Sequence, residues 1–386
     1  ARFGLRTSAI SYNYPTLRAW KDLAVKRTGA GGNRKYYENE GITTIHGEAH
    51  FLSPHEISVN RRNYSAASFL VATGSDSLIP DIQGLADSDY DTPRTMLDAI
   101  RPPKTLYIIG GGTSSVELAQ LMAIFGTKVY IAEIAARLLP DYDSEAGETL
   151  EKLLAAKNIT VLTQTRTLVV EKENIAHRII YGRGGQEHSL RVDAVLIAAG
   201  STPNVDIGLE NAGVLYDANG IHVNEYLQTN VKHIYGAGDV IGRHSYTHTA
   251  LLESRIAVSN LISKNKLIPD YVATPKVVFT YPQIASVGLT EDDCLRRDLN
   301  IKKAFAPLNI VTRSNTSDFR DGFVKIICDK KGVVIGATIM APGAGELIHE
   351  LALAIKYGLT ATEVAATPHA FLTWSEAIRV AAGKLA

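Results

Sequence analysis

Short apolar runs ending in glycine recur along the chain. Three stand out: Phe69-Leu70-Val71-Ala72-Thr73-Gly74, Leu106-Tyr107-Ile108-Ile109-Gly110 and Val195-Leu196-Ile197-Ala198-Ala199-Gly200. None alternates with polar residues, so each predicts a strand buried on both faces, as in a parallel sheet. Glycine at the strand end lets the chain turn and lets a ligand approach the backbone. Helical spacing follows the second run, with Val116, Leu118, Ala119, Leu121, Met122 and Phe125 apolar over residues 115–125. Strand–helix–strand alternation predicts an α/β, doubly wound architecture.

The texture changes from about Thr274. Residues 323–328 and 333–340, joined by Asp329-Lys330-Lys331-Gly332, predict a β-hairpin. A helix is expected over 345–357, with Leu347, Ile348, Leu351 and Ile355 on one face. Thr360-Ala361-Thr362-Glu363 has the pattern of a capping box at the start of another helix. Together these predict a separate C-terminal α+β unit.

Composition narrows the function classes. The 386 residues carry 40 Lys+Arg and 40 Asp+Glu, a formal net charge of zero. That removes the electrostatic case for a nucleic-acid or anionic-membrane partner. No apolar run reaches the ~18 residues of a membrane helix, and no secretory signal pattern is present. Two cysteines, Cys294 and Cys328, exclude a disulfide scaffold and favour a reducing, cytoplasmic setting. They read as packed thiols. The first residues, Ala1-Arg2-Phe3-Gly4, read as if the chain begins inside a domain.

The strongest chemical signal is Gly110-Gly111-Gly112-Thr113-Ser114-Ser115, between a strand at 105–109 and a helix. The next strand, 128–132, ends at Glu133. This is a dinucleotide fingerprint in its required context. Gly110 permits the tight turn, Gly112 lets backbone N–H groups reach a pyrophosphate, and Ser115 fills the small third position. Glu133 sits where an acid accepts hydrogen bonds from ribose hydroxyls. It would repel a 2′-phosphate, which favours NAD over NADP. No metal-ligand spacing occurs.

Other residues are open to two readings. Glu117, one turn into the helix, is on composition alone an exposed carboxylate favoured by the helix dipole. Gly238-Asp239 ends a second Gly-rich strand, Ile234-Tyr235-Gly236-Ala237. Asp239 is either an N-cap or a carboxylate for a sugar or ribityl hydroxyl. His369 and Glu376 could form an acid–base pair; the plainer reading is a surface His and a helix Glu.

Taken in order, these motifs resemble the class I pyridine nucleotide–disulfide oxidoreductases. Further matches are Ile197-Ala198-Ala199-Gly200-Ser201-Thr202-Pro203-Asn204, Val277-Val278-Phe279-Thr280-Tyr281-Pro282 and Ala344-Gly345-Glu346-Leu347-Ile348. The resemblance implies two Rossmann-like domains and a C-terminal α+β dimerisation domain. It implies an FAD-binding domain at 1–98 and 206–268, an NAD(P)-binding domain at 99–205 and an interface domain at 269–386. It also implies FAD and NAD as cofactors, a homodimer and a small-molecule electron acceptor. Residue by residue, Asp239 and Gly238 would serve the FAD ribityl chain. Thr247, His248 and Ala250 would lie against the flavin, with Ala72, Thr73 and Gly74 in the adjoining turn and Ala49 at the adenine. Gly110, Gly112, Glu133 and Gly200 would hold NAD. Glu117 would stand beside nicotinamide and flavin, and Glu376 would orient the catalytic His across the dimer.

Two departures shape the functional expectation. The family's first glycine fingerprint and its Cys-x4-Cys pair are not in this chain, so the resemblance implies an N-terminally truncated, inactive or impaired chain. Phe371-Leu372 stand where lipoamide and glutathione enzymes carry His-Pro, and Phe371-Leu372-Thr373 is similar to the mercuric reductase-like branch. His369 is the candidate substitute base. The expected function is electron transfer from NADH through FAD, and a Cys pair beyond this sequence, to a small acceptor. The alternatives are dihydrolipoamide dehydrogenase, a flavin oxidase or transhydrogenase without a disulfide, and a degenerate nucleotide-binding dimer module.

Overall fold

The computed structural model describes residues 11–28 and 34–386. The opening Ala1-Arg2-Phe3-Gly4 lies outside the described residues.

A four-stranded parallel sheet forms the nucleotide-binding unit, in the order Ala194–Ile197, Thr105–Ile109, Lys128–Ala132, Ile159–Leu162. The unbroken apolar runs do what their pattern predicts. Leu106, Tyr107 and Ile108 are all fully buried. Leu106 and Ile108 face helices Thr113–Ile124 and Ser144–Ala155 through Val116, Met122, Leu150 and Leu154. Tyr107 and Ile109 face the other way, onto Val170, Ile179 and Val192. Those residues belong to an antiparallel meander, Thr165–Glu173, Ala176–Arg183 and Gln186–Val192, which covers the sheet's second face. Nothing in the apolar pattern announces it.

A second three-stranded meander, Ala49–Ser53, Glu56–Val59 and Arg62–Ser65, leads to strand Phe69–Val71. That strand pairs in parallel with Ile234–Gly236, so the two glycine-ended runs lie side by side. Helix Thr247–Ile262 follows.

The C-terminal unit is a five-stranded antiparallel sheet in the order Lys276–Val278, Gln283–Gly288, Val334–Ala341, Phe323–Cys328, Lys302–Pro307. The expected hairpin is present, with Phe323 opposite Met340 and Cys328 opposite Val334. Strand Phe323–Cys328 is buried throughout and does not alternate. Val324, Ile326 and Cys328 face the unit's own helices, while Phe323 joins Met340, Ile284 and Val278 in the core shared with the nucleotide-binding unit. Helix Ala344–Tyr357 crosses the sheet. The capping box forms: Glu363 N donates to Thr360 Oγ1 at 3.2 Å, and Thr360 N donates to Glu363 Oε2 at 2.7 Å. Both cysteines are buried and free. Burial pushes the Cys328 thiol up to about 11, which keeps it protonated and inert.

Candidate active-site cleft

The fingerprint turn is built by close approach. Gly110 has φ +107°, and a Cβ there would stand 2.4 Å from the Ala198 carbonyl oxygen. Ser115 is fully buried, and its Oγ donates to that same oxygen at 3.3 Å, so a larger third residue would part helix from strand. Gly112 is the N-cap of helix Thr113–Ile124 and supplies no side-chain cap. A Cβ on it would point into open space. The first N–H groups of the helix are therefore free to meet an anion, helped by the helix dipole.

Glu133 does more than the sequence suggested. Its Oε2 accepts from Gly111 N at 2.5 Å and its Oε1 from Ala135 N at 2.6 Å. The carboxylate clamps the fingerprint turn while lining the cleft. Arg137, four residues on, is engaged by two residues of the cleft lining: it pairs with Asp292 at 2.5 Å and donates to Pro140 O at 3.3 Å.

Asp239 heads a short 3₁₀ turn and does not cap it with its side chain. Its Oδ2 instead accepts from Ser75 Oγ at 2.8 Å. That settles the local question against an N-cap. Gly238, at φ +78°, donates its N–H to Glu253 Oε2 at 2.7 Å. Glu253 also accepts from Tyr271 Oη at 2.8 Å. Burial raises its pKa above the usual carboxylate range, against these two hydrogen bonds.

An open cleft of about 1320 Å³ joins these features. Gly110, Gly111, Gly112, Glu133 and Gly200 line it, and so do Ser75, Asp239 and Tyr246. Several expected residues stand beside it without lining it. Ala72, Thr73 and Gly74 precede Ser75, with Thr73 Oγ1 donating to Asn204 O at 2.7 Å. Thr247, His248 and Ala250 begin the helix that Tyr246 caps. His248 Nε2 pairs with Pro275 O at 2.9 Å. Ala49 is exposed in the outer meander, opposite Val59, and the structure does not bring it to the cleft.

Glu117 is half-buried, which overturns the exposed-carboxylate reading. Its Oε1 accepts from Phe279 N at 2.7 Å, and burial raises its pKa against that bond. One turn on, Gln120 brackets the same loop, accepting from Tyr281 N at 2.5 Å and donating to Tyr281 O at 3.1 Å. The fingerprint helix thus holds the start of the C-terminal unit.

The structure does not bring His369 and Glu376 together within the chain. Glu376 Oε2 accepts from Leu372 N at 3.1 Å. His369 is no surface residue: its side chain is 4% exposed, with Nε2 2.8 Å from Glu350 Oε1. Its Nδ1 is 2.7 Å from Thr367 O. To act as a base it would have to free one of these ring nitrogens, Nε2 by leaving Glu350. Phe371 is 71% exposed.

Two family profiles cover most of the chain. One, described as pyridine nucleotide-disulphide oxidoreductase, matches residues 8–254; the other, the dimerisation domain of the same proteins, matches 274–382. A mercuric reductase from Staphylococcus aureus is 32% identical over 382 residues, covering 98% of this chain and 70% of its own. A dihydrolipoyl dehydrogenase from Thermus scotoductus is 32% identical over 388 residues, covering 99% and 83%. The chain belongs to the pyridine nucleotide–disulphide oxidoreductases. The solved structure of LpdA from Mycobacterium tuberculosis superposes with a TM-score of 0.87 at 26% identity, covering 100% of this chain and 85% of that one. The flavoprotein disulfide reductase RclA from Escherichia coli shares the fold, with a TM-score of 0.88 at 23% identity over 96% and 86% of the two chains.

The family uses FAD and NAD(P)H. The cleft fits a nicotinamide nucleotide: an uncapped helix N-terminus, an open approach at Gly112 and an acid at Glu133. Asp239 and Ser75 are polar groups of the kind that would suit the hydroxyl chain of a flavin. The described residues lining the cleft hold a single glycine-rich helix start, hence one such pyrophosphate cradle. Among the described residues no helix is long and apolar enough to cross a membrane, and no group of His, Cys, Asp and Glu could hold a metal ion.

Proposed function

We propose that this protein is an FAD-dependent NADH oxidoreductase of the mercuric reductase-like branch, working as a homodimer in the cytoplasm on a small electron acceptor. The observation that carries it is the single cleft lined by both the fingerprint turn and Asp239. Bound there, NADH would supply the hydride chemistry and FAD would be its acceptor.

The chain's own residues orient these groups. Gly110 and Gly112 hold the pyrophosphate, with Gly200 beside the adenosine side. Glu133 accepts from the ribose and disfavours a 2′-phosphate; Arg137, engaged by Asp292, does not offset it. Glu117, fixed by Phe279 N, stands between the nucleotide-binding unit and the flavin. Gly238 and Asp239 take the ribityl side, with Thr247, His248 and Ala250 along the ring. The nucleotide domain then spans 99–205, between FAD-binding parts at 1–98 and 206–268, and the interface domain spans 269–386. The exposed apolar residues Leu353, Tyr357 and Phe371 of the last domain suit a subunit interface. Glu376 acts across it.

The branch rests on Phe371, which can carry no proton. Acceptors needing no thiol protonation, such as a metal ion or a quinone, are favoured over lipoamide or glutathione. Steady-state assays of the protein with NADH and a panel of acceptors test this. Lipoamide or glutathione as the best acceptor would refute the branch.

A further inference from the structure

Lys325 lies in strand Phe323–Cys328 of the C-terminal sheet, and its side chain is 3% exposed. Its ammonium donates to Asp143 Oδ1 at 3.0 Å, to both oxygens of Glu145 at 2.9 Å and to Glu291 Oε2 at 2.7 Å. Asp143 and Glu145 belong to the nucleotide-binding unit, at the start of helix Ser144–Ala155. Glu291 opens helix Glu291–Arg296 on the C-terminal side. Asp143 is held twice more from that side, by Thr338 Oγ1 at 2.6 Å and Glu291 N at 3.0 Å. One cation therefore ties the two units together. Burial draws its pKa down, but the hydrogen bonds to Glu291 and Glu145 outweigh that and hold it above the ordinary lysine value.

Asp143 stands at the N-cap of its helix, where a carboxylate ordinarily accepts from the first turn. It makes no such bond. Its side chain is diverted to Lys325, Thr338 and the Glu291 backbone. A buried ion cluster is weak evidence for stability, because apolar side chains of similar volume often serve as well. The explanation lies in what the cluster positions. Leu139 N donates to the fingerprint carbonyl of Gly111 at 3.0 Å. Pro140 and Asp141 line the cleft. Tyr142 is buried next to Thr113, Glu117 and Tyr246. Asp143 follows directly, so whatever fixes Asp143 fixes this wall.

We propose that Lys325 is a positioning residue for nicotinamide-nucleotide binding, clamping residues 139–143 of the cleft wall against the C-terminal sheet through Asp143. The inference rests on the nucleotide reading above and adds that nucleotide affinity depends on the C-terminal unit.

The test uses Lys325→Met and Asp143→Asn in the flavin-loaded protein, with NAD+ as the probe in isothermal titration, alongside thermal midpoints and NADH kinetics. Each single variant should raise the NAD+ Kd and the NADH KM about tenfold, leaving kcat within about threefold. The double variant should lose less than the product of the two single effects, because both break the same contact. Lower thermal midpoints with Kd and KM within about twofold of wild type in both variants would overturn the inference, leaving a purely structural cluster. Asp143→Asn preserves side-chain shape, and its Kd decides alone if Lys325→Met does not fold. Failure of the wild-type protein to bind NAD+ would overturn the nucleotide reading and this inference with it; tight wild-type binding that ignores both substitutions overturns this inference only.

Discussion

Glu133 carries two loads, and substitution separates them. It is buried, and each carboxylate oxygen accepts one backbone N–H, from Gly111 and from Ala135. Hydrogen bonds to a charged group contribute roughly 1.5–3 kcal/mol, and a buried donor left unpaired costs about 1–3 kcal/mol. Glu133→Ala strands both donors, so a stability loss on the order of 2–4 kcal/mol is expected, less whatever entering water restores. Glu133→Gln keeps one acceptor but sets an amide NH2 against the other N–H, and should lose about half of that. Both variants also lose the charge that accepts from the ribose. That contact, at roughly 1.5–3 kcal/mol, corresponds to a tenfold to hundredfold loss in NADH affinity. NADPH gains from losing the like charge. The assay is kcat/KM for both nucleotides, paired with urea denaturation. The NADH:NADPH ratio should fall at least about tenfold in Glu133→Gln. An unchanged ratio with lowered stability would show that Glu133 only clamps the turn and that the preference is set elsewhere.

Other substitutions probe the remaining parts. Gly110→Ala forces a non-glycine residue to φ +107° and drives a Cβ to 2.4 Å from the Ala198 carbonyl oxygen. Strain of order 1–3 kcal/mol from the backbone alone should weaken NAD+ binding in titration, and unchanged affinity would contradict the turn's role. Phe371→His restores a proton carrier where acid–base groups contribute ~10²–10⁴-fold, so lipoamide turnover should rise well above wild type. If wild type already turns over lipoamide rapidly and His369→Ala abolishes it, His369 leaves Glu350 and serves as the base. Glu291 is held below its usual 4.5 by Lys303 first and Lys325 next. Its ionised form therefore stabilises the fold above pH 4.5, and that contribution is lost as pH falls through the lowered value. The thermal midpoint of Glu291→Gln should lie below wild type at neutral pH, with the gap closing in acid; a gap independent of pH would remove the charge as its source.

Much of the fold was legible because it is local. Unbroken apolar runs reported fully buried strands, and the glycine triplet after one of them fixed the cleft's position. The capping box at Thr360 and Glu363 is a four-residue pattern, and it formed as read. The meander at 165–192 is not legible in the pattern because its outer face is polar, so its strands show no unbroken apolar run like those of the parallel sheet they cover. Partners distant in sequence were also invisible. Nothing near Gly238 announces Glu253, nothing near Lys325 announces Asp143, and the pairing of His369 with Glu350 needs the helix Ala344–Tyr357 to pass beneath it. The sequence suggested a surface histidine because its partner lies 19 residues away on another element. Glu133 was found by its place after a strand, but its grip on Gly111 is visible only in three dimensions.

On the function proposed above, this cleft passes electrons from NADH to a bound flavin. Anaerobic titration of the flavin-loaded protein with NADH, followed by the flavin's visible absorbance, tests it most directly. Stoichiometric bleaching by NADH and markedly slower bleaching by NADPH are expected. A flavin that binds yet stays oxidised in the presence of either nucleotide would contradict it.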